Sequence, residues 1–136
     1  MNFQITDKEC VDYWLEQVNA EIGMRDIEYT KKYCYNFILA KILFHFSIAD
    51  TGIMAFLVVP DFDGTQSLTE ALFYIKPEYR GDLKTVKEYI SHLEVCAKEL
   101  NCKSVKIGAN IKYKDNVFMK LLERWGYQME VATKGV

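Results

Sequence analysis

The stretch whose residue types and spacing best suit chemistry is Tyr79-Arg80-Gly81-Asp82, with Leu83-Lys84-Thr85 directly behind it. Before it stands an apolar, aromatic and β-branched run, Leu72-Phe73-Tyr74-Ile75, the composition of a buried strand. Pro77 removes a ladder donor and ends the pairing. Beyond the turn, Val86, Tyr89, Ile90, Leu93, Cys96, Ala97 and Leu100 fall on one face of an amphipathic helix. A strand, a tight loop and a helix therefore follow one another. The first-turn amides and the dipole of such a helix favour an anion, often a phosphate. Arg80, Lys84 and Lys87 add positive charge there, whereas Asp82 either repels a phosphate or turns aside to cap the helix.

Other residues with reactive side chains form no comparable pattern. Cys10, Cys34, Cys96 and Cys102 lack paired short spacing, and three of them sit on apolar helix faces or at a helix end. Reduced, mostly buried thiols are expected, and no metal site. His45 lies in an aromatic strand and His92 beside core positions of the central helix, with no nucleophile or carboxylate at a useful spacing, so both read as packing or surface residues. Lys84, Lys87 and Lys98 read as a solvated helix face.

Those residues need a frame, and the bulk properties bound it. A chain of 136 residues is read as one domain with a self-sufficient core. Hydrophobic residues make up 50% and aromatics 14%, which argues against disorder. A formal net charge of −2 argues against broad nucleic-acid binding. No apolar run approaches the ~20 residues needed to span a bilayer. MNFQITDKEC lacks the basic and apolar regions of a signal peptide, so a cytoplasmic protein is expected.

Along the chain, Asn2 to Ile5 reads as a short edge strand or a disordered tip. Thr6 and Glu9 make a capping-box pattern for a helix carrying Val11, Trp14, Leu15, Val18 and Ile22, which Gly23 stops. A second helix spans about 27–40 and buries Cys34, Phe37, Ile38 and Tyr33. The period then changes: alternation over 44–49, a turn at Asp50-Thr51-Gly52, an apolar run from Ile53 to Pro60, a turn at 61–64 and the strand from about Ser67 to Ile75. Three strands joined by short turns make an antiparallel meander. After the central helix, Ser104 to Gly108 is a short strand, reached by a helical crossover and so parallel to its partner. Asp115 or Asn116 caps a last helix bearing Val117, Phe118, Leu121, Leu122 and Trp125, Gly126 stops it, and Tyr127 to Thr133 gives a final strand. The expected class is α+β, with order β-α-α-β-β-β-α-β-α-β: a mixed, mainly antiparallel sheet between helices on both faces.

That order resembles the GNAT superfamily of acetyl-CoA-dependent N-acyltransferases. The likeness rests on Tyr74-Ile75-Lys76-Pro77-Glu78-Tyr79-Arg80-Gly81 before a helix, and on the closing Leu121-Leu122-Glu123-Arg124-Trp125-Gly126-Tyr127. It implies one acyltransferase-like domain over 1–136, acetyl-CoA as co-substrate and an amine acceptor on a small molecule or protein. It further implies that acyl-CoA wedges beside the strand before the loop, with Phe73 and the backbone of Ile75 along the pantetheine arm. The pyrophosphate pattern Gln/Arg-x-x-Gly-x-Gly/Ala falls on Arg80, Gly81, Asp82, Leu83, Lys84 and Thr85, and Asn116 joins them as a cofactor residue. Leu83 and Thr85 stand where glycine, or glycine and alanine, are usual, and a Cβ at those places crowds a phosphate.

The resemblance also nominates Glu70 as the base that takes the amine proton, against the plainer reading of a solvent-facing carboxylate on a half-exposed strand. The usual tyrosine acid falls on Leu122, which has no proton to give; Tyr113, nearby in the loop, is a candidate substitute but not the expected one. Tyrosines among Tyr29, Tyr33 and Tyr35 then border an acceptor groove. Two functions follow: an acetyl-CoA-dependent N-acetyltransferase, or an inactive GNAT-fold binding or structural protein of the phage or mobile-element type. A homodimer or protein partner is compatible with either. A nucleic-acid-binding module has only scattered aromatics in its favour.

Overall fold

Apolar periodicity along the chain translates into elements in the expected order. The computed structural model describes residues 2–108, 117–128 and 134–135. Two units divide the chain. The first, Met1–Lys106, holds β1 (Gln4–Ile5), α1 (Lys8–Ile22), α2 (Ile27–Leu39), β2 (Leu43–Phe46), β3 (Gly52–Pro60), β4 (Gln66–Ile75), a 3-10 turn at Pro77–Tyr79, α3 (Leu83–Glu99) and β5 (Ser104–Lys106). The second, Ile107–Val136, holds α4 (Val117–Arg124). Asp115, Tyr113 and Asn116, and most of the expected last strand, lie outside the described residues.

Among the described residues five strands pair in the order β1-β2-β3-β4-β5, antiparallel except for β4 and β5. The parallel pair follows from the connection: a crossover through α3 returns the chain to the end of the sheet where β4 began. Alternation along the strands sorts the two faces. Leu43, Ile53, Ala55, Leu72 and Tyr74 meet Val11, Trp14, Leu15 and Val18 of α1, and α2 adds Cys34, Phe37 and Ile38. On the other face Phe46 stacks on Tyr89 of α3 at 5.7 Å between ring centroids, and Phe73 packs tilted against the same ring at 5.4 Å. Tyr89 is fully buried, and its hydroxyl accepts the Ile48 amide at 3.1 Å and lies 3.0 Å from the Thr51 hydroxyl. This ties α3 to the β2–β3 turn.

Two local expectations are corrected. Asp7, not Thr6, caps α1, its carboxylate accepting the Cys10 amide at 2.8 Å. Thr6 is drawn inward instead: its amide donates to the Leu43 carbonyl at 2.9 Å, and its hydroxyl lies 2.9 Å from His45 Nδ1. Tyr33 does not bury; it is 54% exposed, stacked beside exposed Tyr29 and edge-on to half-buried Phe37.

Gly52 is required by space. A Cβ built there would lie 2.1 Å from the Tyr74 carbonyl oxygen. Backbone against backbone leaves no side chain free to yield, so β3 and β4 approach this closely only with glycine at that place.

Candidate active site

The loop between β4 and α3 is built by three sequence features. Pro77 begins the 3-10 turn, Gly81 adopts a left-handed φ of 86°, and Asp82 caps α3. One Asp82 oxygen accepts the Lys84 amide at 3.0 Å, and the other accepts the Thr85 hydroxyl at 3.0 Å. Asp82 thus places its own carboxylate on the first turn of α3, where an external anion would otherwise find amide donors. Leu83, the first residue of α3, is 57% exposed. Lys84 and Lys87 are also exposed.

Beside this loop the sheet changes character. Among the described residues, β5 accompanies the ten-residue β4 through Ser67↔Ser104, Leu68↔Val105 and Thr69↔Lys106. The β4–β5 ladder stops at Thr69, and β4 runs on to Ile75. Buried Ser67 secures the paired end: its hydroxyl lies 2.9 Å from that of Ser104 and donates to Asp61, which also meets Lys106 Nζ at 3.2 Å.

Glu70 sits just past the end of that ladder. A register shift pairs Ala55 with Leu72 but Phe56 with Glu70, leaving Ala71 as the extra residue of a bulge. Simple alternation from Tyr74 and Leu72 would put Glu70 on the face that α1 covers. Because cross-strand partners share a face, the bulge moves it to the opposite one, beside fully buried Phe56. Glu70 is half-buried there. Phe73, also half-buried, shares the face that packs on α3.

Ile75 is oriented by its neighbours. The Lys76 amide donates to the Thr51 carbonyl at 2.9 Å, toward the β2–β3 turn. In a planar trans peptide the Ile75 carbonyl must then point the other way, toward the edge of β4 that faces away from β3. It accepts Arg80 Nε at 2.8 Å.

Arg80 is the residue whose surroundings differ most from the resemblance. Its Nη1 and Nη2 both meet Glu21 near the end of α1, the second at 2.8 Å. Its guanidinium also stacks 5.2 Å from the centroid of the Tyr74 ring, whose hydroxyl donates to the same Glu21 carboxylate. Arg80 and Tyr74 hold the Glu21 carboxyl below its ordinary pKa, and burial together with Glu21 pushes Tyr74 up to about 12. Sequence reasoning did not find Glu21. A signal existed, because Glu21 lies three residues after Val18 and seven after Trp14, in line with the buried stripe of α1. A carboxylate on that line needs a partner.

A second unforeseen pairing joins α1 to β2. Cys10 Sγ lies 3.6 Å from His45 Nε2, so His45 does have a thiol beside it. Burial and Asp7 push the Cys10 thiol up to about 11, and burial lowers His45, so both are neutral near pH 7 and the contact is a weak neutral hydrogen bond rather than a thiolate–imidazolium pair. Among the described residues no group of three or more His, Cys, Asp or Glu side chains is arranged to hold a metal. Leu122, in α4, is buried. A shallow cavity of about 480 Å³ opens at the other end of β4, lined by Gly64, Gln66, Lys98, Asn101 and Lys103. None of the candidate site residues borders it.

No protein-family model and no curated protein sequence matches the chain. Solved structures do. An acetyltransferase from Trypanosoma brucei superposes with a TM-score of 0.66 at 15% identity, over 98% of this chain and 96% of that one. The aminoglycoside N-acetyltransferase AAC(6')-Iy, solved with a CoA-containing bisubstrate analogue, gives 0.71 at 12% identity over 98% and 95%. A ribosomal-protein-alanine N-acetyltransferase from Brucella melitensis gives 0.67 at 12% identity over 100% and 99%. Near-complete coverage in both directions at such low identity is a likeness of architecture rather than of residues. The chain has the fold of the GNAT acetyltransferases.

Proposed function

We propose that the chain is an acetyl-CoA-dependent N-acetyltransferase, working as one acyltransferase-like domain on an amine of a small molecule or protein. The observation that carries this reading is the early stop of the β4–β5 ladder at Thr69↔Lys106, beside a strand-loop-helix unit. Roughly 16 Å of β4 separates Glu70 from Ile75, a span on which a pantetheine arm can lie. The acyl end then falls near Glu70 and the pyrophosphate near the first turn of α3. Phe73 and Ile75 flank the arm, and Arg80, Gly81, Asp82, Leu83, Lys84 and Thr85 surround the phosphates.

The reaction needs little from the protein beyond positioning and one proton transfer. The acceptor amine attacks the thioester carbonyl and the C–S bond breaks. Glu70 takes the amine proton, directly or through a water, and the departing thiolate takes a proton in return. With leucine at position 122, that second proton comes from solvent or from another residue.

Radiolabelled acetyl-CoA incubated with a panel of polyamine, aminoglycoside and peptide amines tests the reading. Wild type should acetylate one class. Glu70→Gln should lose about 10²- to 10⁴-fold in turnover while its affinity for acetyl-CoA stays the same. Binding of acetyl-CoA without transfer to any amine, and without effect of Glu70→Gln, would contradict catalysis and favour a binding protein of this fold.

A further inference from the structure

The environment of Arg80 points to control of the cofactor site. We propose that Glu21 is a gate on that site: it holds Arg80 against the strand end, and acyl-CoA binds by drawing the guanidinium from the Glu21 carboxylate to its pyrophosphate. The inference rests on the acyltransferase reading above and deepens it.

Three observations carry the gate. First, Arg80 donates through three of its nitrogens at once, Nε to the Ile75 carbonyl and both Nη to Glu21. The two-pronged pair is the geometry a guanidinium also uses for phosphate, so carboxylate and phosphate compete for the same donors. Second, the Ile75 carbonyl lies on the edge of β4 turned away from β3, where a pantetheine amide would pair, and Arg80 covers it. Third, the exchange strands no charge. The Glu21 side chain is 26% exposed and keeps the Tyr74 hydroxyl, so water can replace the departing guanidinium. The Arg80 side chain is 40% exposed.

A fixed strut and a gate make opposite predictions. If Glu21 only braces the loop, weakening the pair loosens the site and lowers affinity. If Glu21 competes with the phosphates, weakening the pair raises it. Glu21→Gln keeps an acceptor for Tyr74 and removes the charge, and Glu21→Asp keeps the charge but shortens the reach.

The test is calorimetric titration of wild type and both variants with acetyl-CoA and with S-acetylpantetheine, which lacks the pyrophosphate. Partly exposed ion pairs are weak, so Glu21→Gln should bind acetyl-CoA about two- to fivefold more tightly. Glu21→Asp should fall between it and wild type, and S-acetylpantetheine, which meets only the uncovered Ile75 edge and no phosphate donor, should gain less than acetyl-CoA does. The gain should vanish when Arg80→Ala is added. Unchanged or weaker binding of acetyl-CoA by both variants, with wild type binding normally, would overturn the gate and leave the acyltransferase reading intact. No binding by any of the three proteins would overturn both.

Discussion

Asp82 gives the most quantitative handle on the phosphate end of the site. Its carboxylate occupies the first turn of α3 through the Lys84 amide and the Thr85 hydroxyl, each at 3.0 Å. Serine caps a helix about as well as aspartate, so Asp82→Ser should change stability by only a few tenths of a kcal/mol. It nevertheless removes one negative charge from beside the proposed pyrophosphate. At ~5 Å the repulsion per charge pair is about 3 kcal/mol at an effective dielectric of ~20 and about 0.8 kcal/mol in bulk water. Asp82 is exposed, which places it nearer the water limit. Two phosphate charges then sum to about 1–2 kcal/mol, a gain of roughly five- to thirtyfold in acetyl-CoA affinity. The assay is calorimetry at low and high salt. The gain should shrink at high salt, because exposed charges are screened over about 10 Å at ~0.1 M. Equal or weaker binding by Asp82→Ser, in a protein that still melts cooperatively, would refute the placement of the pyrophosphate on α3.

Two further outcomes concern the scaffold. Gly52→Ala should destabilise by about 3 kcal/mol or more, since its Cβ would meet the Tyr74 carbonyl oxygen at 2.1 Å and no side chain can give way; urea unfolding measures it. His45 has its pKa lowered by burial, so the unfolded chain binds protons more readily than the folded one. Stability should hold above the ordinary histidine value and fall as pH drops through and below it, and His45→Gln should flatten that slope. Denaturant unfolding at neutral and mildly acidic pH compares the two.

The scaffold of the site was legible because each of its parts has a local cause. The change from a continuous apolar run to a helical period locates β4 and α3, and Pro77, Gly81 and Asp82 mark the loop between them. The crossover connection foretold that β5 would run parallel to β4. What escaped was whatever depends on contacts across the chain. Glu21 lies 59 positions from Arg80, and nothing around either residue names the other. The bulge at Ala71 depends on how β3 and β4 settle against their two helical layers, so alternation alone assigns Glu70 to the wrong face. Thr6 looked like a cap because its spacing to Glu9 is right, yet Asp7 beside it caps equally well and burial of Thr6 against His45 decided between them.

The most direct test of the central claim is titration of acetyl-CoA into the isotopically labelled protein, followed by amide NMR. The account predicts saturable shifts concentrated in Leu72 to Ile75 and in Gly81 to Thr85, along the far end of β4 and the first turn of α3. No saturable shift up to about a millimolar, or shifts centred elsewhere, would contradict it.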